Sequence, residues 1–249
     1  MFGKFFALLG GMRIPRKFIL QNNSLFHVTW QCHNKSWLLK YRWAKKLYYD
    51  LLLRFKEEYG IIFYSYIIMD NHIHLSGKLS DLKQFSRFFQ KVNSIFAKEI
   101  NKQADRCGQV IRDRFKSPQV ETEAALMRLM VYQDLNEVRA GKAKHPKQNV
   151  LSSYGYYAYG RKDALITEPE VYKRLGSTSN ERQLAYQGMV EEILSSAPRK
   201  REGRYSDVLF IGDPAWVTKQ YKKLHELRQA LAKQRLEKFS PDELRSNSS

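Results

Sequence analysis

The chain has 249 residues, 43% of them hydrophobic, which is enough apolar material for one sizeable core and too much for a disordered polypeptide. Its formal charge of +18, from 43 Lys and Arg against 25 Asp and Glu, carries a self-repulsion that a polyanion would relieve; nucleic acid comes first, with a membrane surface or plain solubility as blander readings. Two cysteines, Cys32 and Cys107, exclude a disulfide framework and a Cys-rich zinc module, and point to reduced thiols in the cytoplasm.

The opening MFGKFFALLGGMRIPRK begins with an apolar run well short of the ~20 residues that cross a bilayer and has no clear cleavage site, so neither a membrane partner nor a secretory leader is expected. Met12 is a second candidate start, and residues 1–23 are read as an N-terminal extension. Residues 24–34, SLFHVTWQCHN, are rich in β-branched and aromatic types and predict a strand. YRWAKKLYYDLLLRFKEEYG (41–60) repeats apolar residues at helical spacing and stops at Gly60. IIFYSYIIM (61–69) predicts a buried strand, Asp70 and Asn71 a turn, and HIHLSGKL (72–79) its hairpin partner.

Ser80 is the expected cap of a helix from Asp81 to Ala104, on which Leu82, Phe85, Phe88, Phe89, Val92, Ile95 and Phe96 form a broad apolar face. With a closing strand near 109–120, the order βαββα predicts an α+β fold of ferredoxin-like type: an antiparallel sheet with helices packed on one face. EAALMRLMVYQDLNEVRAG (123–141) predicts a third helix ending at Gly141, with Tyr132 and Asn136 at i and i+4 on one face and Asp134 turned away into solvent. Beyond residue 160 the pattern weakens to one or two short helices over 165–198, a flexible basic linker at 197–207 and a Lys/Arg-rich helix at 214–239. The chain therefore divides into residues 24–160 as one α+β domain and 161–249 as a helical basic C-terminal extension.

His72 and His74 carry the first chemical signal. Successive side chains of a strand point to opposite faces, so the two imidazoles converge while Ile73 enters the core, an arrangement suited to holding a metal and also met in structural histidines. Arg112, Arg114 and Lys116 in IRDRFKS combine with Phe115 in the mix of cation and aromatic that grips nucleic-acid strands. Arg139 fits a carboxylate or DNA equally.

In order along residues 25–160, the blocks HVTWQCHN, MDNHIHL, RDRFKS, YQDLNEVRAG and LSSYGYYAYG resemble the REP-associated branch of the single-tyrosine HUH transposases, the IS200-like transposases. Asp70 and Glu137 stand where that pattern has prolines, which affects local backbone geometry more than chemistry. The resemblance implies a divalent-metal nuclease and strand transferase acting on single-stranded DNA beside a REP-like palindromic hairpin. In it His72 and His74 are metal ligands and Tyr132 is the nucleophile, which becomes linked to a 5′-phosphate. It implies Mg²⁺ or Mn²⁺, although imidazole prefers zinc, copper or nickel, so zinc is expected to bind and inhibit. A monomer is favoured, with a dimer as the alternative.

Physical chemistry supports such a set. Phosphodiester cleavage by a side chain needs an in-line nucleophile and a cation to gather phosphoryl charge. Two histidines hold a metal loosely, and Asn136, one turn from Tyr132, could add its carbonyl oxygen as a third ligand. A phenol, with a pKa of about 10, attacks poorly in solution but keeps the ester bond energy for rejoining. Tyr154, Tyr156 and Tyr157 are rival nucleophiles, expected instead to pack or to stack on bases. Two other functions compete. His27-Val-Thr29 and His74-Leu-Ser76 match the paired His-x-Thr/Ser units of metal-independent 2H phosphoesterases, and a domesticated, non-catalytic nucleic-acid-binding module would need only the basic surface.

Overall fold

Side-chain alternation along three strands sets the two faces of the molecule. The computed structural model describes residues 14–196, 203–205 and 208–238; both candidate start methionines and most of the 197–207 stretch lie outside the described residues. Strands β1 (Leu25–Gln31), β2 (Ile61–Ile68), β3 (His72–Leu79) and β4 (Gln119–Val120) form an antiparallel sheet, and β5 (Phe210–Ile211) joins β4 in parallel, in the order β2-β3-β1-β4-β5. The fold is α+β. The antiparallel sheet expected from the sequence is thus present, and the parallel β5 makes it mixed; it was not legible because a two-residue strand has no periodicity to read.

Helices α1 (Arg42–Phe55) and α2 (Leu82–Gln103) cover one face, as the hydrophobic pattern predicts. Phe26 packs on Phe85 with ring centroids 4.9 Å apart, and Trp30 packs on Tyr48 and Phe96 at 5.1 and 5.7 Å. The Trp30 indole donates to the Tyr48 hydroxyl at 2.7 Å, which in turn donates to Asn93 Oδ1 at 3.0 Å, so this core carries a satisfied polar chain. The cap of α2 is Asp81, whose side chain accepts from Gln84 N at 2.8 Å; Ser80, the expected cap, instead donates to the Gly60 carbonyl. A carboxylate accepts at a helix N-terminus more strongly than a hydroxyl does.

Helix α3 (Glu123–Asp134), capped by Thr122, lies across the opposite face, where the side chain of Gln133 accepts from Ser65 and Ser76. The single helix expected over 123–141 is broken at Leu135 (φ −82°, ψ 1°), and a short α4 (Asn136–Arg139) follows. Gly141 takes the left-handed conformation foreseen for it, with φ of 70°. After α5 (Tyr154–Tyr159) and α6 (Glu170–Lys173), the C-terminal region gives α7 (Ser179–Ser196) and α8 (Pro214–Lys238). Phe210 packs against Trp216 and Tyr221, and Leu209 N donates to the Tyr221 hydroxyl at 3.0 Å, so this region shares the sheet of the preceding one. Among the described residues no helix is long and apolar enough to cross a membrane.

Candidate active site

The register of β1 against β3 pairs His27 with Ser76, Thr29 with His74 and Gln31 with His72. Because Phe26, Val28 and Trp30 are buried on the α1/α2 side, the intervening His27, Thr29 and Gln31 face the other way, together with His72 and His74. His72 and His74 are half-buried, with ring centroids 5.2 Å apart. Each has its Nδ1 engaged: His72 by Asn71 Oδ1 at 2.7 Å and His74 by His27 Nε2 at 3.0 Å. This is the outer-layer pattern that orients metal-binding imidazoles, and it fits a cation held through the two Nε2 atoms.

The pair opens on a cleft of about 450 Å³ lined by Thr29, Trp30, Gln31, His72, His74, Arg112, Asp113, Arg114, Lys116 and Tyr205. The structure therefore brings the three cations named from the sequence to the histidines. They are exposed, and Arg112 also contacts Asp113 at 3.5 Å and Gln31 at 3.5 Å. Phe115 does not join them. It is buried on Phe85 and Phe89, because residues 111–116 run beside β1 and alternation turns Phe115 to the core face. Arg16 lies over its ring at 3.6 Å and donates to Ser117 Oγ and the Phe115 carbonyl, both at 3.1 Å. Burial first, and the Arg114 charge second, bring the Arg16 pKa down to about 10.

Tyr132 is buried at the end of α3 and stands outside the cleft lining, meeting it through Tyr205, whose ring is 4.4 Å from its own. The Arg139 guanidinium lies over the Tyr132 ring at 3.8 Å, and its Nη1 donates to the Tyr132 carbonyl at 2.5 Å and to Asn136 Oδ1 at 3.3 Å. The break at Leu135 takes Tyr132 and Asn136 off one continuous helical face, and the Arg139 guanidinium bridges them. Asn136 keeps a buried Nδ2 with no partner. No group of three or more His, Cys, Asp or Glu side chains gathers among the described residues.

Asp134 is not solvated as its helical position predicts. It is 1% exposed, accepts from the Tyr186 hydroxyl at 2.6 Å, and burial pushes its carboxyl up to about 7. The partner helix α7 covers it, which a one-helix projection cannot foresee. Tyr154 and Tyr157 are fully buried, and burial raises both phenols; Tyr156 is half-buried and donates to Glu168. Arg16, Tyr205 and the buried role of His27 were missed from the sequence. For His27 the strand alternation was the available signal; for Tyr205, in the 197–207 stretch, nothing local marks a cleft residue.

The fold is α+β, and its sheet sets a histidine pair and three exposed cations around one cleft. Residues 21–119 match the model of the family described as transposase IS200 like, and this stretch, with both histidines and the cationic hairpin, is similar to those transposases. The resemblance read from the ordered blocks is borne out there; Tyr132 and Asn136 lie beyond the matched residues. No curated protein matches the chain. A solved structure described as "Structure of the REP associates tyrosine transposase bound to a REP hairpin" is similar with a TM-score of 0.49 and 14% identity, over 64% of this chain and 93% of that one.

Proposed function

We propose that this chain is a metal-dependent single-stranded DNA endonuclease and strand transferase of the transposase type, acting beside a REP-like hairpin through a 5′-phosphotyrosine intermediate. The observation that carries this reading is the pairing of His72 and His74 with Arg112, Arg114 and Lys116 around one cleft, inside the stretch similar to IS200-like transposases. His72 and His74 would hold Mg²⁺ or Mn²⁺, with Asn136 as third ligand, and a bound cation gathers the charge that builds on the phosphoryl oxygens. Arg112, Arg114 and Lys116 fix the strand through its phosphates, and Arg139 holds the Tyr132 ring and carbonyl.

DNA entering the cleft displaces Tyr205 from Tyr132. The Tyr132 hydroxyl oxygen then bonds to phosphorus as the bond from phosphorus to the 3′-oxygen breaks; the phenolic proton leaves to water and the departing oxygen becomes a 3′-hydroxyl. The reverse attack by a 3′-hydroxyl rejoins a strand without further energy input. A stacked duplex denies the scissile phosphate this approach. We read the protein as a cytoplasmic monomer. Against the 2H alternative stands the burial of His27, 1% exposed and held neutral with its pKa lowered to about 3, which keeps it from any substrate.

The test is incubation with labelled hairpin-flanked single-stranded DNA, matched linear strand and matched duplex, with and without chelator. A covalent adduct with the hairpin substrate that disappears with chelator is expected. Equal cleavage of duplex, or cleavage that survives chelation, would overturn the reading, and binding without any adduct would favour a domesticated binding module.

A further inference from the structure

His27 is the histidine of the paired His-x-Thr/Ser units that the proposed chemistry leaves unused. It is 1% exposed, its ring stacks at 12° on that of His74, and its Nε2 is 3.0 Å from His74 Nδ1. Its own Nδ1 is buried without a partner.

One proton lies between two imidazole nitrogens, so two neutral arrangements exist. In the first, His27 Nε2–H donates to His74 Nδ1, and the His74 proton then sits on Nε2, where it blocks coordination. In the second, His74 Nδ1–H donates to His27 Nε2, and the His74 Nε2 lone pair is turned to the cleft. That second arrangement puts the His27 proton on the partnerless Nδ1. A buried unpaired N–H is costlier to keep than a buried lone pair, so the pair leans to the first arrangement until something at His74 Nε2 selects the second.

We propose that His27 is the positioning residue for His74: it accepts the Nδ1 proton, sets the tautomer and ring angle of His74, and so governs how tightly a divalent cation is held at this pair. This rests on the reading of His72 and His74 as cation ligands. It assigns to His27 a role that needs no contact with substrate, which its burial demands. Asn71 serves His72 in the equivalent way, with an amide oxygen that can only accept, so the two ligands differ in that only His74 must change tautomer.

The experiment measures Mn²⁺ affinity by calorimetry on the parent, His27→Phe and His27→Gln, with ¹⁵N spectra of the histidines in the parent with and without Mg²⁺. His27→Phe fills the space without an acceptor and should weaken Mn²⁺ roughly 10- to 100-fold. His27→Gln, whose side-chain oxygen can reach the Nε2 position, should stay within about threefold of the parent, a rescue that a merely space-filling role would not produce. In the spectra, His74 should carry its proton on Nδ1 once Mg²⁺ is present and shift toward Nε2 without it. Mn²⁺ binding by His27→Phe equal to the parent, or a His74 tautomer indifferent to Mg²⁺, would overturn the inference while leaving the proposed activity standing. A parent that binds no Mn²⁺ would overturn both. Should His27→Phe fail to fold, the tautomer spectra of the parent decide alone.

Discussion

The two positions where prolines of the family pattern are replaced, Asp70 and Glu137, meet in one charge cluster, and breaking it should loosen the junction between the histidine strand and the end of the tyrosine helix. Asp70 lies in the β2–β3 turn; its Oδ1 is 2.9 Å from Lys45 Nζ and its Oδ2 is 2.6 Å from Lys142 Nζ, with Asp70, Lys45 and Lys142 side chains 24%, 13% and 28% exposed. Glu137, on α4, is half-buried; burial raises its carboxyl pKa, and the charges of Lys45 and Lys142 pull it back. At an effective dielectric near 20, the closer contact is worth about 6 kcal/mol of bare Coulomb energy. Desolvation and the ordering of a long lysine offset most of it, and partial exposure places the pair between surface bridges of under about 1 kcal/mol and buried ones of about 3. A net coupling of about 1–2 kcal/mol follows. A double-mutant cycle of Asp70→Asn and Lys142→Met, read by denaturant unfolding at low and at 1 M salt, should return that coupling and see it shrink with salt. In the proposed reaction Asp70→Asn should slow adduct formation with hairpin affinity nearly unchanged. A coupling within about 0.3 kcal/mol of zero would refute the reasoning, because Asp70 and Lys142 would then act independently.

Tyr132→Phe should abolish the covalent adduct and leave hairpin affinity within about threefold, since the ring and the cations remain; an adduct that persists would move the nucleophile to another tyrosine, Tyr205 first. His72→Ala and His74→Ala should each remove Mn²⁺ binding in calorimetry together with cleavage, and cleavage surviving either change would sink the ligand assignment. Hairpin affinity should fall steeply with salt, and Lys116→Ala should reduce the log–log slope by about 1; an unchanged slope would place Lys116 away from phosphate. Tyr48→Phe leaves the buried Trp30 indole N–H without an acceptor and should cost about 1–3 kcal/mol in denaturant unfolding, with a loss under about 0.5 kcal/mol counting against that pairing.

The sequence by itself determined whatever depends on a short period. Alternation on β1 and β3 put His72, His74 and Ile73 on their correct faces, and the apolar stripe of α2 gave the core beneath them. The ordered motif blocks pointed to the IS200-like stretch that the family model matches. Gly141 marked its left-handed turn because only residues without a Cβ take that conformation freely. What tertiary structure decided concerns groups whose partners are remote in the chain. His27 reads as a second reactive histidine until β3 lays His74 against it, 47 positions away. Asp134 reads as solvent-facing until Tyr186 covers it, and Phe115 as a DNA contact until Phe85 and Phe89 claim it. The helix through Tyr132 reads as continuous because propensity favours it, while the break at Leu135 accompanies a guanidinium bound to the Tyr132 carbonyl. Tyr205 enters the cleft from a stretch that is basic and featureless when read locally. Local pattern specifies which face a side chain takes, whereas burial, hydrogen-bond partner and charge state belong to whatever packs upon that face, and only the folded chain brings those groups together.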